Sequence, residues 1–174
     1  FYSDDRILFS SGRPEKDRQT YSPSGESYLD IFVGKLNGTG DVQNSNRFTG
    51  IPTSNFHKST PYFSKDLNEI FYVLSNTADG ELVYDQNGKN ALAIGLAGYN
   101  GSFEYILKDL STSFYYPFYE AKTQRLYFVA NFEEGYGGTD IYYVNTNNGQ
   151  IMSSPVNLGP RINSPGNEIA PYIF

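Results

Sequence analysis

Few residues in this sequence could do chemistry, and their spacing narrows what that chemistry could be. His57 is the single histidine, so a site built on two imidazoles is out of reach, and no Gly-x-Ser-x-Gly elbow accompanies it. With no cysteine, thiolate nucleophiles, zinc–thiolate sites and disulfides are excluded. Glu133 and Glu134 are adjacent, whereas glycoside hydrolysis needs two acids flanking the bond; they read as solvated surface. Asp79, Asp85, Asn87 and Asn90 make one loop rich in oxygen donors. They lack the alternating ligand spacing and closing Glu of a calcium loop, so a solvated turn is expected there, with a calcium ion as the alternative. Gly135–Gly138 has no Lys-Ser/Thr and no helix after it, which rules out a phosphate loop; its glycines are expected to supply turns with positive φ. Asp30 and Asp140 recur at one position of an internal repeat, which argues for an architectural role, accepting backbone N–H groups where a strand starts. No catalytic, metal or cofactor-binding residue is assigned.

What remains is recognition chemistry. Aromatic side chains and Arg dominate interface energetics, and Tyr21, Tyr84, Phe132 and Tyr136 lie in long loops. Phe132 and Tyr136 are the expected partner-binding anchors. Arg161 is a third, though it lies in a repeated connection that it could simply brace.

These loops are spaced by a repeat. Pro61-Tyr62-Phe63, Pro117-Phe118-Tyr119 and Pro171-Tyr172-Ile173 are 56 and 54 residues apart. A second strand follows each of the first two, at Ile70-Phe71-Tyr72-Val73 and Leu126-Tyr127-Phe128-Val129, and Arg6-Ile7-Leu8-Phe9 is the same strand one unit earlier. An Asp-Ile-aromatic strand recurs at Asp30 and Asp140, while the middle unit has Leu92-Ala93-Ile94 in that place. The units are about 1–56, 57–112 and 113–166, with the first strand of a fourth at 167–174. Short strands with Gly/Asn/Pro punctuation read as antiparallel meanders. A period of this length with four strands per unit reads as a β-propeller. The expected fold is all-β, about three four-stranded antiparallel blades of a larger, six- to eight-bladed propeller, with the chain a segment of it.

The near-continuous apolar second strands fit strands covered on both faces. Long loops at Ser11–Tyr28, Asn76–Asn90 and Asn131–Thr139, together with the connection Gly159–Asn167, should gather on one rim. Tight turns such as Lys122-Thr123-Gln124 should fall at the other end.

Bulk properties agree. Aromatics make up 17% of the 174 residues, which favours strands over helices. A net charge of −6 is unlike a phosphate-tracking surface, so nucleic acid is not an expected partner. No apolar run is long enough to span a bilayer.

Gly135-Tyr136-Gly137-Gly138-Thr139-Asp140-Ile141-Tyr142 and Pro155-Val156-Asn157-Leu158-Gly159-Pro160-Arg161-Ile162-Asn163 resemble the TolB-like, WD-like propeller repeats of Bacteroidota envelope proteins of the OmpA family. Departures are Glu134 for a first Gly and Glu120-Ala121-Lys122 for the usual Ser-Pro-Asp-Gly turn. The resemblance, to PorE-type components of the type IX secretion system, implies a periplasmic, outer-membrane-associated scaffold. Its partner would be an envelope or secretion-system protein, and peptidoglycan would be reached only through a domain outside this chain. The expected function is non-enzymatic protein binding without a cofactor; the alternative is a glycan-binding or glycan-degrading propeller module.

Overall fold

The computed structural model describes residues 2–16 and 18–173. It is all-β and antiparallel, with no helix among the described residues. The first sheet holds β1 (Arg6–Ser11), β2 (Asp30–Leu36) and β3 (Val42–Arg47) in that order. The second holds β4 (Lys58–Ser64), β5 (Glu69–Ser75), β8 (Leu92–Gly98) and β9 (Phe103–Leu107). A small hairpin, β6 (Thr77–Ala78) and β7 (Glu81–Leu82), rises from the loop between β5 and β8. The third runs β10 (Phe114–Glu120), β11 (Arg125–Ala130), β12 (Asp140–Asn147), and then β13 (Gln150–Ile151) and β14 (Val156–Asn157), both paired to β12.

Each strand follows from its residues. β5 and β11 are runs of Ile, Phe, Tyr, Val and Leu that suit a pleated surface. Asn148 and Gly149 both take positive φ (48° and 84°), the geometry of a tight hairpin turn that Asn-Gly adopts at low cost. The outer strand of the third sheet is split. Asn145 N–H donates to Ser153 Oγ at 2.9 Å instead of to a backbone carbonyl, and Pro155 has no N–H to offer a ladder.

Only the second sheet has four unbroken strands. The first has three among the described residues, and the outer strand of the third is in two pieces. The repeated prolines explain a shared detail of the inner strands. Pro61 and Pro117 are each fourth in their strand, and each sits in a bulge with register shifts between Ser59 and Tyr62 and between Tyr115 and Phe118. The residue before each proline is left-handed: Thr60 at φ 43° and Tyr116 at 49°. Ala170, before Pro171, has φ 50° as well, although residues 171–173 form no strand; no strand among the described residues pairs with them. A bulge tolerates the missing proline N–H, and Ser10 Oγ accepts the Thr60 N–H at 2.8 Å.

The second sheet is covered on both faces. Phe71, Val73, Ile94 and Leu96 pack with Phe114, Leu126, Phe128 and Val144 of the third sheet. Ile70, Tyr72, Leu74 and Ala93 pack with Ile31, Phe48 and Ile51 on the other side. Successive β5 residues therefore feed opposite cores, and all of Ile70–Leu74 is buried, as the continuous apolar run predicts.

Candidate partner-binding rim

The loops after β1, β5 and β11 share an end of the molecule with the connections between sheets. Two corners of this rim are built alike. Asp30 and Asp140 open β2 and β12, each 1% exposed. Asp140 Oδ2 accepts the Tyr136 N–H at 2.6 Å and an Asn157 Nδ2–H at 2.8 Å. Asn163 Oδ1 accepts the Ile141 N–H at 2.9 Å, and its amide donates to Ile141 O and Asn157 Oδ1. The asparagines of Pro155–Asn163 thus close a circuit on the start of β12. Register places Arg47 of the first sheet where Asn157 stands in the third, opposite Phe32 and Tyr142 respectively. Arg47 Nε lies 3.2 Å from Asp30 Oδ2.

The Asp30 corner carries more charge. Arg18 Nη1 donates to Asp30 Oδ2 at 2.6 Å and Lys58 Nζ lies 3.0 Å from Oδ1, with these side chains 5% and 3% exposed. Arg47 also pairs with Glu15. A cavity of about 440 Å³ opens beside this cluster, lined by Arg18, Arg47, Lys58, Tyr72, Phe103 and Tyr105 among others. Neither Arg18 nor Lys58 stood out in the sequence. The repeat carried no clear signal for Lys58, since the equivalent residues are Phe114, which opens β10, and Glu168.

His57 is a hydrogen-bond acceptor. Its Nδ1 takes the Leu29 N–H at 3.0 Å, and burial first, then the nearby Arg18 charge, holds its pKa below the ordinary value. Ser113 Oγ likewise takes the Leu92 N–H at 3.1 Å, and Asn167 Oδ1 accepts from the Thr139 hydroxyl at 3.3 Å. His57, Ser113 and Asn167 are each four residues before the repeated prolines Pro61, Pro117 and Pro171, and all three brace the start of a unit's third strand.

The glycines of Gly135–Gly138 serve a different purpose from the expected one. None has positive φ. Space is the reason: a Cβ on Gly137 would overlap the carbonyl oxygens of Gly166 and Ser164, and one on Gly138 would overlap Asn167 Oδ1. Gly138 N–H donates to Gly166 O at 2.8 Å and Glu168 N–H to Thr139 O at 2.8 Å, so the loop is laced to the connection Gly159–Asn167. In the Asp79–Asn90 loop, Asp79 and Gly80 form the β6–β7 turn with φ 51° and 83°. Asp85 Oδ1 accepts the N–H groups of Asn87 and Lys89 at 2.8 Å, contacts that hold its carboxyl below the usual range. Among the described residues no three His, Asp or Glu side chains cluster to hold a metal.

The expected anchors separate. Phe132 is half-buried, its ring 4.9 Å from that of Tyr142 and 5.8 Å from that of Phe114, so it braces the core. Tyr136 is 49% exposed with its backbone pinned by Asp140, and Arg161 is exposed. Tyr21 packs edge-on against His57 at 4.7 Å, and Tyr84 is exposed. At the opposite end Glu120 accepts the Lys122 and Thr123 N–H groups, which closes that turn tightly. No protein-family model matches the chain, and no curated protein matches it.

Proposed function

We propose that this chain supplies blades of a β-propeller acting as a non-enzymatic, protein-binding scaffold of the cell envelope. In this reading it resembles the PorE-type components: periplasmic, outer-membrane-associated, and linked to peptidoglycan only through a domain outside these residues. The proline bulge that recurs with the repeat supports the propeller, as do inner strands following one another through stacked sheets. The observation that carries the binding role is the rim. Its repeated acids are committed to holding loops, while Tyr136 and Arg161 project from a backbone fixed on both sides. Loops held by a rigid scaffold are where recognition sits.

The test is capture of envelope proteins by the immobilised chain. Tyr136→Ala with Arg161→Ala should weaken capture about tenfold or more, a loss of about 1.4 kcal/mol or greater, with the melting temperature nearly unchanged. Loss of capture on changing Lys122 and Thr123 instead would place the working surface at the opposite end. The aromatic wall of the cavity, Phe103 and Tyr105, favours a glycan-binding module as the second reading. Release of sugar from peptidoglycan or plant glycans by the purified chain would favour a degrading activity.

A further inference from the structure

We propose that the cavity beside Asp30 receives a carboxylate of the partner polypeptide, an acidic side chain or a free C-terminus. The inference deepens the scaffold reading and rests on it for the choice of a protein as the source.

Charge is the first ground. Arg18 and Lys58 are two buried cations, and Asp30 is the one carboxylate buried between them. Arg47 and Glu15 pair at the mouth. Among the described residues the floor therefore keeps one positive charge without a buried counter-charge, in a chain whose net charge is −6. Such a charge is costly unless an anion joins it. Arg18 Nη2 is used on the carbonyls of Tyr28 and Leu29, while its Nε is buried with no hydrogen-bond partner. Lys58 has donor capacity beyond its bonds to Asp30 and Pro52 O, since an ammonium carries three N–H groups.

An internal comparison is the second ground. The same corner of the third sheet is built without cations: Asp140 meets Asn157, and Glu168 stands where Lys58 does, its N–H on Thr139 O as that of Lys58 is on Leu29 O. The architecture does not require the positive charge, so its presence calls for another purpose. Shape is the third. About 440 Å³ is within the range of small-ligand sites. Tyr72, Phe103 and Tyr105 give the cations an apolar wall suited to a short hydrocarbon stem. A monoanion balances the single charge better than a phosphate dianion. A uronic acid fits less well, because the Tyr105 hydroxyl that would meet its ring is already paired with Thr77 at 2.8 Å.

The experiment titrates the purified chain, by calorimetry and by NMR, with N-acetylphenylalanine, its amide, glucuronate and inorganic phosphate. The free acid should bind, and the amide should bind about tenfold more weakly or worse, as loss of a charged hydrogen bond requires. Lys58→Met, which keeps an unbranched apolar stem and removes the charge, should fold and abolish binding of the acid. Should that variant not fold, Arg47→Gln at the mouth should weaken binding by removing a lining cation. Equal binding of acid and amide overturns the proposal, as does undiminished binding by whichever folded variant is used. Preference for glucuronate assigns the site to a glycan, and binding of phosphate alone makes it a plain anion site; either result overturns the polypeptide carboxylate. Intact acid binding with failed envelope capture would retire the rim scaffold and keep the cavity, whereas the converse would retire the cavity alone.

Discussion

His57 works in this protein as a neutral acceptor, and that role sets a pH dependence. Its folded-state pKa is depressed by burial and by Arg18, so the unfolded chain binds the proton more readily. The stability it contributes is complete above the ordinary value of about 6.5 and is lost as pH falls through the depressed folded value. Melts at pH 7.5 and pH 5 should show a drop at the lower pH, and His57→Asn should reduce that drop while keeping an acceptor for Leu29. The component at stake is on the order of 1 kcal/mol, one buried hydrogen bond. An unchanged pH slope in the variant would show that His57 is not the titrating group. The repeat puts His57 level with Ser113 and Asn167, which marks it as a polar structural residue at the entry to a strand. It could not give the Arg18 contact, because residue 18 lies in a long loop outside the repeat.

At the scale of elements, the Asn131–Thr139 loop and the Gly159–Asn167 connection form one laced unit. Gly137 has ordinary φ, so Gly137→Ala should cost stability through overlap with Gly166 O and Ser164 O, about 1–3 kcal/mol. Hydrogen exchange should then rise in both segments together. Gly25 is the contrast, with φ 72° and open space around it; alanine there would strain only its own turn. Exchange that rises in the loop alone after Gly137→Ala would show that the two segments are not coupled. The glycine run marked a special backbone in the sequence. Whether it served φ or close approach depended on Gly166, 28 residues beyond Gly138, which no local pattern encodes.

Across the whole molecule, the second sheet is the shared element of two cores. Phe71 belongs to one and its neighbour Tyr72 to the other, so loosening either face is felt by the sheet in common. Phe71→Ala should cost about 3–5 kcal/mol while unfolding remains a single transition, with circular dichroism and tyrosine fluorescence coinciding in denaturant. Two separated transitions would mean that the sheets unfold as independent units, as nearest-neighbour repeats can. The sequence by itself determined the long strands of the three sheets, their antiparallel order and the length of the repeat, though not the β6–β7 hairpin or the absence of a strand at residues 171–173. Apolar runs, turn residues and proline spacing are local signals, and hydrogen-bonded meanders are made mostly of neighbours in the chain. Tertiary structure alone decided which side chains meet at the sheet corners. Arg18, Asp30, Arg47 and Lys58 come from a loop and three strands, and Phe132 turned from the rim to the core. Those outcomes depend on how one sheet stacks on the next. Stacking is set by the summed burial of both faces, and no single stretch of sequence carries that sum.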